Sequence, residues 1–188
     1  MQHEIIISGF GGQGALFAGQ LIAYAALAEG RHVTWIPSYG PEMRGGTANC
    51  TVIVSDDEIG SPLVRRPSAA IVLNPPSFER YEPLVQPGGV LLSNASLISL
   101  VSQRTDLRVL ALPANEIAAE LGAAQMANVV LVGALVAATG VVKLETLDQV
   151  LEEHVSARHR DKLELNKQAL RLGAARVNGT EIRSAVAA

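Results

Sequence analysis

Short apolar runs alternate with longer helical patterns along most of the chain. Residues 4–8 form the first run, which is rich in isoleucine, as is typical of a strand buried on both faces of a sheet. Residues 15–28 are apolar nearly all round, which indicates a helix packed on the sheet and covered on its outer side. Further strands are predicted at residues 33–36, 49–55, 69–73, 90–93 and 108–112. This alternation predicts βαβ units.

The C-terminal half predicts helices of two kinds. Residues 121–142 carry no charge and are roughly long enough to cross a bilayer, but they lack the aromatic and basic flanks of a membrane helix. We expect a helix that is buried or faces another protein, ended by Gly140. Residues 144–172 place leucines at helical spacing among charges, which predicts amphipathic helix. The fold class is therefore α/β: a single Rossmann-like three-layer domain over residues 1–188, with a mostly parallel sheet and C-terminal helices.

Composition narrows the classes of partner. The chain is 48% hydrophobic with a formal net charge of -3 and no long run of Lys or Arg, so we expect neither nucleic acid nor a membrane as partner. The polar start Met1-Gln2-His3-Glu4 lacks the basic region of a signal peptide, which favours a cytoplasmic location.

Candidate metal ligands and nucleophiles are sparse. Cys50 is the only cysteine, so the chain can hold neither an internal disulfide nor an iron–sulfur cluster, which takes about four thiolates. We expect Cys50 to be a small buried apolar residue. The four histidines are scattered without metal-ligand neighbours: His3, His32, His154 and His159. We predict no catalytic residue and no metal ligand in this chain.

The first candidate binding element is the glycine turn, Gly9-Phe10-Gly11-Gly12-Gln13-Gly14. It fits G-x-G-x-x-G between a predicted strand and helix, where free N–H groups favour an anion such as a phosphate. The alternative is that the glycines only let strand and helix pack closely. A nicotinamide-dependent dehydrogenase would also need an acidic residue at the end of the second strand, where this chain has Thr34-Trp35-Ile36-Pro37, and Glu29 falls too early. The cofactor-binding candidates here are Gly9, Gly11, Gly12, Gln13 and Gly14.

The second candidate element is the loop Tyr39-Gly40-Pro41-Glu42-Met43-Arg44-Gly45-Gly46. It follows the second predicted strand, so we expect it at the carboxyl edge of the sheet, where open α/β sheets bind ligands. The Arg44 guanidinium suits a carboxylate, a phosphate or an acidic residue of a partner, although an exposed Glu–Arg pair with no role is an equal alternative. The candidates in this loop are Tyr39, Glu42, Arg44, Gly45 and Gly46.

Together the two loops resemble the gamma family of 2-oxoacid:ferredoxin oxidoreductases. The resemblance extends over nearly the whole chain through Ser61-Pro62, Asn115-Glu116-Ile117-Ala118, Glu120-Leu121-Gly122 and Asn128-Val129-Val130-Leu131-Val132-Gly133-Ala134-Leu135. The Tyr-Gly-Pro-Glu sequence is more similar to 2-oxoglutarate-type members than to indolepyruvate-type members.

The resemblance implies a subunit that works only within a larger enzyme. That enzyme decarboxylates a 2-oxoacid oxidatively, transfers the acyl group to coenzyme A and passes electrons to ferredoxin. It implies alpha and beta subunits, sometimes with a ferredoxin-like delta subunit, that hold thiamine diphosphate, Mg and iron–sulfur clusters. Two alternatives stay open, an NAD(P)-dependent dehydrogenase and a purely architectural module. We expect the isolated chain to form a homodimer.

Overall fold

A computed structural model describes residues 1–39, 47–154 and 162–179 of this chain. The strands are β1 Gln2–Phe10, β2 His32–Tyr39, β3 Thr47–Ser55, β4 Ala69–Val72, β5 Val90–Asn94 and β6 Arg108–Leu112. The helices are α1 Ala15–Ala28, α2 Pro75–Tyr81, α3 Ala114–Ala119, α4 Ala127–Thr139, α5 Leu144–His154 and α6 Leu163–Gly179. Single 3-10 turns lie at Glu82–Leu84 and Ala124–Met126.

The six strands form one sheet in the order β2-β3-β1-β4-β5-β6. β1, β4, β5 and β6 run parallel, whereas β3 is antiparallel to both of its neighbours, β1 and β2. β2 therefore points the same way as β1 but is separated from it by β3. The α/β fold class and the mostly parallel sheet are confirmed, and all six predicted strands are present.

Helices cover the two faces of the sheet unequally. One face carries the larger core, in which side chains of all six strands pack with α1, α3, α4, α5 and α6. On the other face α2 packs against β1 and β4 through Phe78 and Tyr81. The α2 helix begins at Pro75, the first of two consecutive prolines, and Asn74 caps it by accepting a hydrogen bond from the Ser77 N–H.

The uncharged segment is covered by this chain itself. Every residue of α4 from 127 to 136 is buried, because α4 packs against α1, α3, α5, α6 and β5. Gly140 ends α4 with φ +65°, as predicted. The expectation that this helix faces another protein is therefore wrong, since α6 supplies the apolar cover. The homodimer stays a prediction, but an exposed α4 no longer supports it.

Two glycines allow α4 and α6 to touch through their backbones. A side chain at Gly133 would overlap the Leu170 carbonyl, and one at Gly173 would overlap the Val130 carbonyl. Neither overlap can be relieved by a change of side-chain rotamer, because the obstacle in each case is the helical backbone of the other element. The position of α6 over α4 thus depends on both glycines.

Cys50 on β3 is fully buried against α1, and its thiol donates a hydrogen bond to the Ala15 carbonyl. Burial raises the pKa of the Cys50 thiol to about 12. Gly19 on α1 makes room for it, since a side chain there would collide with the Cys50 Sγ. The expectation of a small buried apolar residue is confirmed.

We predict that Gly133→Ala lowers the free energy of unfolding by about 3 kcal/mol or more, because the added methyl group pushes α6 away from the buried face of α4. Urea titration followed by circular dichroism measures the change. Gly60→Ala is the matched control, since a Cβ at Gly60 has nothing within 4 Å and should change stability by only a few tenths of a kcal/mol. Equal stability of the two variants would show that α6 does not rest on this contact.

Stability should also depend on pH through Cys50. The folded chain keeps the thiol proton up to a pKa of about 12, whereas the unfolded chain releases it near the ordinary thiol pKa of 9.0. The unfolded state then binds fewer protons, so stability falls as pH rises through this window. Between about pH 8 and 10.5 the wild type should lose about 2 kcal/mol more than Cys50→Ala. Parallel pH dependences in the two proteins would contradict this assignment.

Candidate functional site

The glycine turn begins at the same edge of the sheet at which Tyr39 ends β2, with β3 between the two strands. Phe10, the last residue of β1, pairs with Thr47, and Tyr39, the last residue of β2, pairs with Ala48. The backbone of Tyr39 therefore lies at the edge expected from the sequence. Residues 40–46 fall outside the described residues, and with them the candidates Glu42, Arg44, Gly45 and Gly46.

The glycine turn has the backbone conformation that its glycines allow. Gly12 and Gly14 have φ +94° and +78°, in the left-handed region that disfavours other residues. Gly14 precedes α1 without a side-chain cap, and the first turn of α1 holds no acidic residue. Among the described residues, therefore, no carboxylate or hydroxyl caps the N–H groups at the start of α1.

The Gln13 side chain turns inward and ties β1 to β4. Its Oε1 accepts hydrogen bonds from the Phe10 N–H at 2.6 Å and from the Asn74 Nδ2 at 3.3 Å. Its Nε2 donates to the Leu73 carbonyl at 3.2 Å. Gln13 is thus part of the scaffold under the turn.

Gly9 and Gly14 of the turn are required by neighbouring side chains. A Cβ at Gly9 would lie 2.8 Å from both the Gln13 Oε1 and the Leu73 Cβ. A Cβ at Gly14 would collide with the Asn128 side chain, whose Nδ2 donates to the Gly14 carbonyl at 3.2 Å. At Gly12, by contrast, no atom of the described residues lies within 4 Å of an added Cβ, so this position of the turn is open to a ligand.

The sequence analysis missed the polar residues that organise this edge. Asn74 is buried and caps α2, and the hydroxyl oxygens of Ser8 and Ser77 lie 2.9 Å apart beneath it. Asn94 at the end of β5 is also buried and accepts from the Ala114 N–H at the start of α3. An asparagine directly before Pro75-Pro76 is a helix N-cap pattern, so Asn74 could have been found from the sequence.

A cleft of about 380 Å³ opens beside the turn, and we call it the turn cleft. Its size lies in the range of small-molecule sites. Its lining combines apolar side chains, amides and two basic groups: Gly12, Gly14, Phe17, Gln125, Met126, Asn128, Val129, His154, Lys162 and Asn166. The His154 ring stacks on Tyr24 with ring centroids 4.1 Å apart.

The chemistry of the turn cleft is that of binding. Lys162 supplies positive charge, Asn128 and Asn166 supply buried amides, and Phe17 and Met126 supply an apolar wall. The described residues of the lining include no carboxylate that could work with His154 as an acid–base pair. Within residues 1–39, 47–154 and 162–179 there is no group of three or more His, Cys, Asp or Glu side chains able to hold a metal ion.

No helix among the described residues is both long and apolar enough to cross a membrane.

Comparison with known proteins places the chain in a family. The family model described as pyruvate ferredoxin/flavodoxin oxidoreductase matches residues 4–176. The ketoisovalerate oxidoreductase subunit VorA of Methanothermobacter marburgensis is 41% identical over 134 residues, which are 71% of this chain but only 28% of VorA. The 2-oxoglutarate synthase subunit KorC of Methanocaldococcus jannaschii is 34% identical over 158 residues, which are 82% of this chain and 84% of KorC.

A solved structure agrees with these relatives. The gamma subunit of a keto/oxoacid ferredoxin oxidoreductase from Geobacter sulfurreducens is 30% identical, with a TM-score of 0.83 and coverage of 95% of this chain and 97% of that chain. This chain thus spans little more than a quarter of VorA and nearly all of the Geobacter subunit. The sequence and the fold agree that this chain belongs to the pyruvate ferredoxin/flavodoxin oxidoreductase family.

Proposed function

We propose that this chain is the gamma subunit of a 2-oxoacid:ferredoxin oxidoreductase. The observation that carries the proposal is similarity over most of the length of both chains to proteins that are themselves separate subunits, KorC and the Geobacter gamma subunit. The assembled enzyme would convert a 2-oxoacid and coenzyme A into acyl-coenzyme A and carbon dioxide, with the released electrons passing to ferredoxin. Such an enzyme would work in the cytoplasm.

The redox chemistry in this proposal belongs to partner subunits. The described residues do not fit an iron–sulfur cluster or a magnesium site, because Cys50 is a single buried thiol and no set of metal-binding side chains is present among them. Thiamine diphosphate, Mg and the clusters would therefore be held by the alpha and beta subunits and a ferredoxin-like delta subunit. Ferredoxin would accept electrons from those subunits.

The contribution of this chain would be to bind coenzyme A. The phosphates suit the open side of the turn at Gly12, the uncapped start of α1 and the Lys162 ammonium. The apolar parts of coenzyme A suit the wall formed by Phe17 and Met126. The loop that holds Arg44 follows Tyr39, which ends β2 at the same edge of the sheet as the turn and two strands away from it, so Arg44 would supply a second cation.

The proposed oxoacid is 2-oxoglutarate. Support comes from the Tyr39-Gly40-Pro41-Glu42 sequence and from the similarity to KorC, a 2-oxoglutarate synthase subunit. The higher identity to VorA covers a smaller part of that longer protein, so ketoisovalerate is the substrate to compare.

The purified chain should be catalytically silent and become active only with its partners. Dye reduction with 2-oxoglutarate and coenzyme A should be at background for the chain alone and should appear when the alpha and beta subunits are added. The same assay with ketoisovalerate and pyruvate compares the three oxoacids. Oxoacid-dependent dye reduction by the chain alone would contradict the subunit proposal.

Lys162→Ala should raise the Michaelis constant for coenzyme A in the assembled enzyme by roughly tenfold, because a charge-assisted contact to phosphate is lost. Lys143→Ala is the matched control, since Lys143 is exposed and does not line the turn cleft. We expect Arg44→Ala to act in the same direction as Lys162→Ala. An unchanged Michaelis constant together with weaker subunit association would assign these cations to a subunit interface.

A further inference from the structure

The chain order places a crevice between β1 and β4. The connection after β1 begins with α1 on one face of the sheet, whereas the connection after β4 begins with α2 on the other face. In open α/β sheets such a reversal leaves a crevice at the carboxyl ends of the two strands, where dinucleotides commonly bind. The glycine turn borders this crevice, so the chain has the position and the motif of a dinucleotide site.

The Gln13 side chain occupies that crevice. It bridges the last residue of β1 to the two residues that follow β4, Leu73 and Asn74. Its Oε1 accepts the Phe10 N–H at 2.6 Å, and thereby supplies the acceptor oxygen that a phosphate would offer to the turn. Gly9 leaves no room for a second group, because even a Cβ there would meet the Gln13 Oε1 and Leu73.

The sheet order also leaves the chain without the ribose-binding half of a dinucleotide site. Dinucleotide folds take their ribose-binding acidic residue from the end of the second strand, beside the first strand. Here β3 lies between β1 and β2, so the end of β2 stands two strand spacings, about 10 Å, from β1. The described residues of β2, His32–Tyr39, include no Asp or Glu.

We propose that Gln13 is a built-in occupant of the dinucleotide phosphate site, and that it determines specificity by keeping nicotinamide nucleotides out of a chain that carries their glycine motif. The amide is neutral and satisfies the N–H and carbonyl groups that an empty crevice would leave without partners. This assignment concerns the β1–β4 crevice and does not rest on coenzyme A binding, which is proposed for the turn cleft.

The test compares pyrophosphate binding by Gln13→Ala and by the otherwise identical chain, using isothermal titration calorimetry on the full chain. Both proteins carry Lys162→Ala, so that binding in the turn cleft does not mask binding in the crevice. Without the Gln13 substitution we expect no binding of millimolar pyrophosphate or NAD⁺. Gln13→Ala should bind pyrophosphate at least about tenfold more tightly than the protein that keeps Gln13. It should bind NAD⁺ no more tightly than pyrophosphate, because the ribose contact is missing.

Two controls make each outcome decisive. Gln86→Ala removes an exposed amide outside the crevice and should bind pyrophosphate like its parent. Gln13→Glu keeps the acceptor oxygen but adds negative charge, so it should bind no pyrophosphate. Equal affinity with and without Gln13, or no gain in a Gln13→Ala protein that melts cooperatively, would overturn the proposal. If Gln13→Ala does not fold, hydrogen exchange at the side-chain amides of the wild type tests whether Gln13 fills the crevice. Side-chain amide protons of Gln13 that exchange as fast as those of Gln86 would show that the crevice is open.

Discussion

Helix α4 is the constraint on which the rest of the structure depends. It carries no charge, so it must be covered on every side, and this chain covers it with four helices and the sheet. The closest of these contacts, against α6, is possible only because Gly133 and Gly173 bring the two backbones together. At its other end α4 places Asn128 against the Gly14 carbonyl. The packing of the core and the shape of the glycine turn are therefore set by the same helix.

The glycines of the turn have a different role from the one that their sequence pattern suggests. In this chain Gly9 makes room for Gln13, and Gly14 makes room for Asn128, so both glycines accommodate side chains of the protein itself. Gly12 alone of these three is open to the surroundings, on the side of the turn cleft. The motif is thus satisfied in sequence, while the open side of the turn at Gly12 faces the turn cleft and not the crevice between β1 and β4.

The elements of this fold were predictable from the sequence because apolar runs and turn residues are local signals. The six strands and the bounds of α1 follow from such signals. The direction of β3 does not, since an apolar run predicts a strand but neither its orientation nor its neighbours. Whether α4 is covered by this chain or by a partner stayed open, because charge content shows that a helix is buried without showing what buries it. The amphipathic pattern of residues 144–172 likewise gave no sign that it belongs to two helices, α5 and α6.

The candidate site was predictable in part for related reasons. The ends of β1 and β2 at one sheet edge follow from the parallel direction of these strands, and the structure places Phe10 and Tyr39 there. The role of Gln13 is not visible in the sequence, because it occupies a variable position of the motif and its partners Leu73 and Asn74 lie about sixty residues away. The turn cleft depends on α1, α4, α5 and α6 converging, which no local pattern encodes.

Because the Cys50 thiol on β3 is buried, this chain is well suited to site-specific labelling. Thiol-directed labels react with the thiolate, and the Cys50 thiol keeps its proton and is shielded by α1. A cysteine introduced at an exposed position such as Leu63, whose side chain is 75% exposed, would then be the one thiol that a label reaches in the folded chain. A fluorophore or spin label placed there would report where this chain sits in a larger assembly without removal of any native residue from the core.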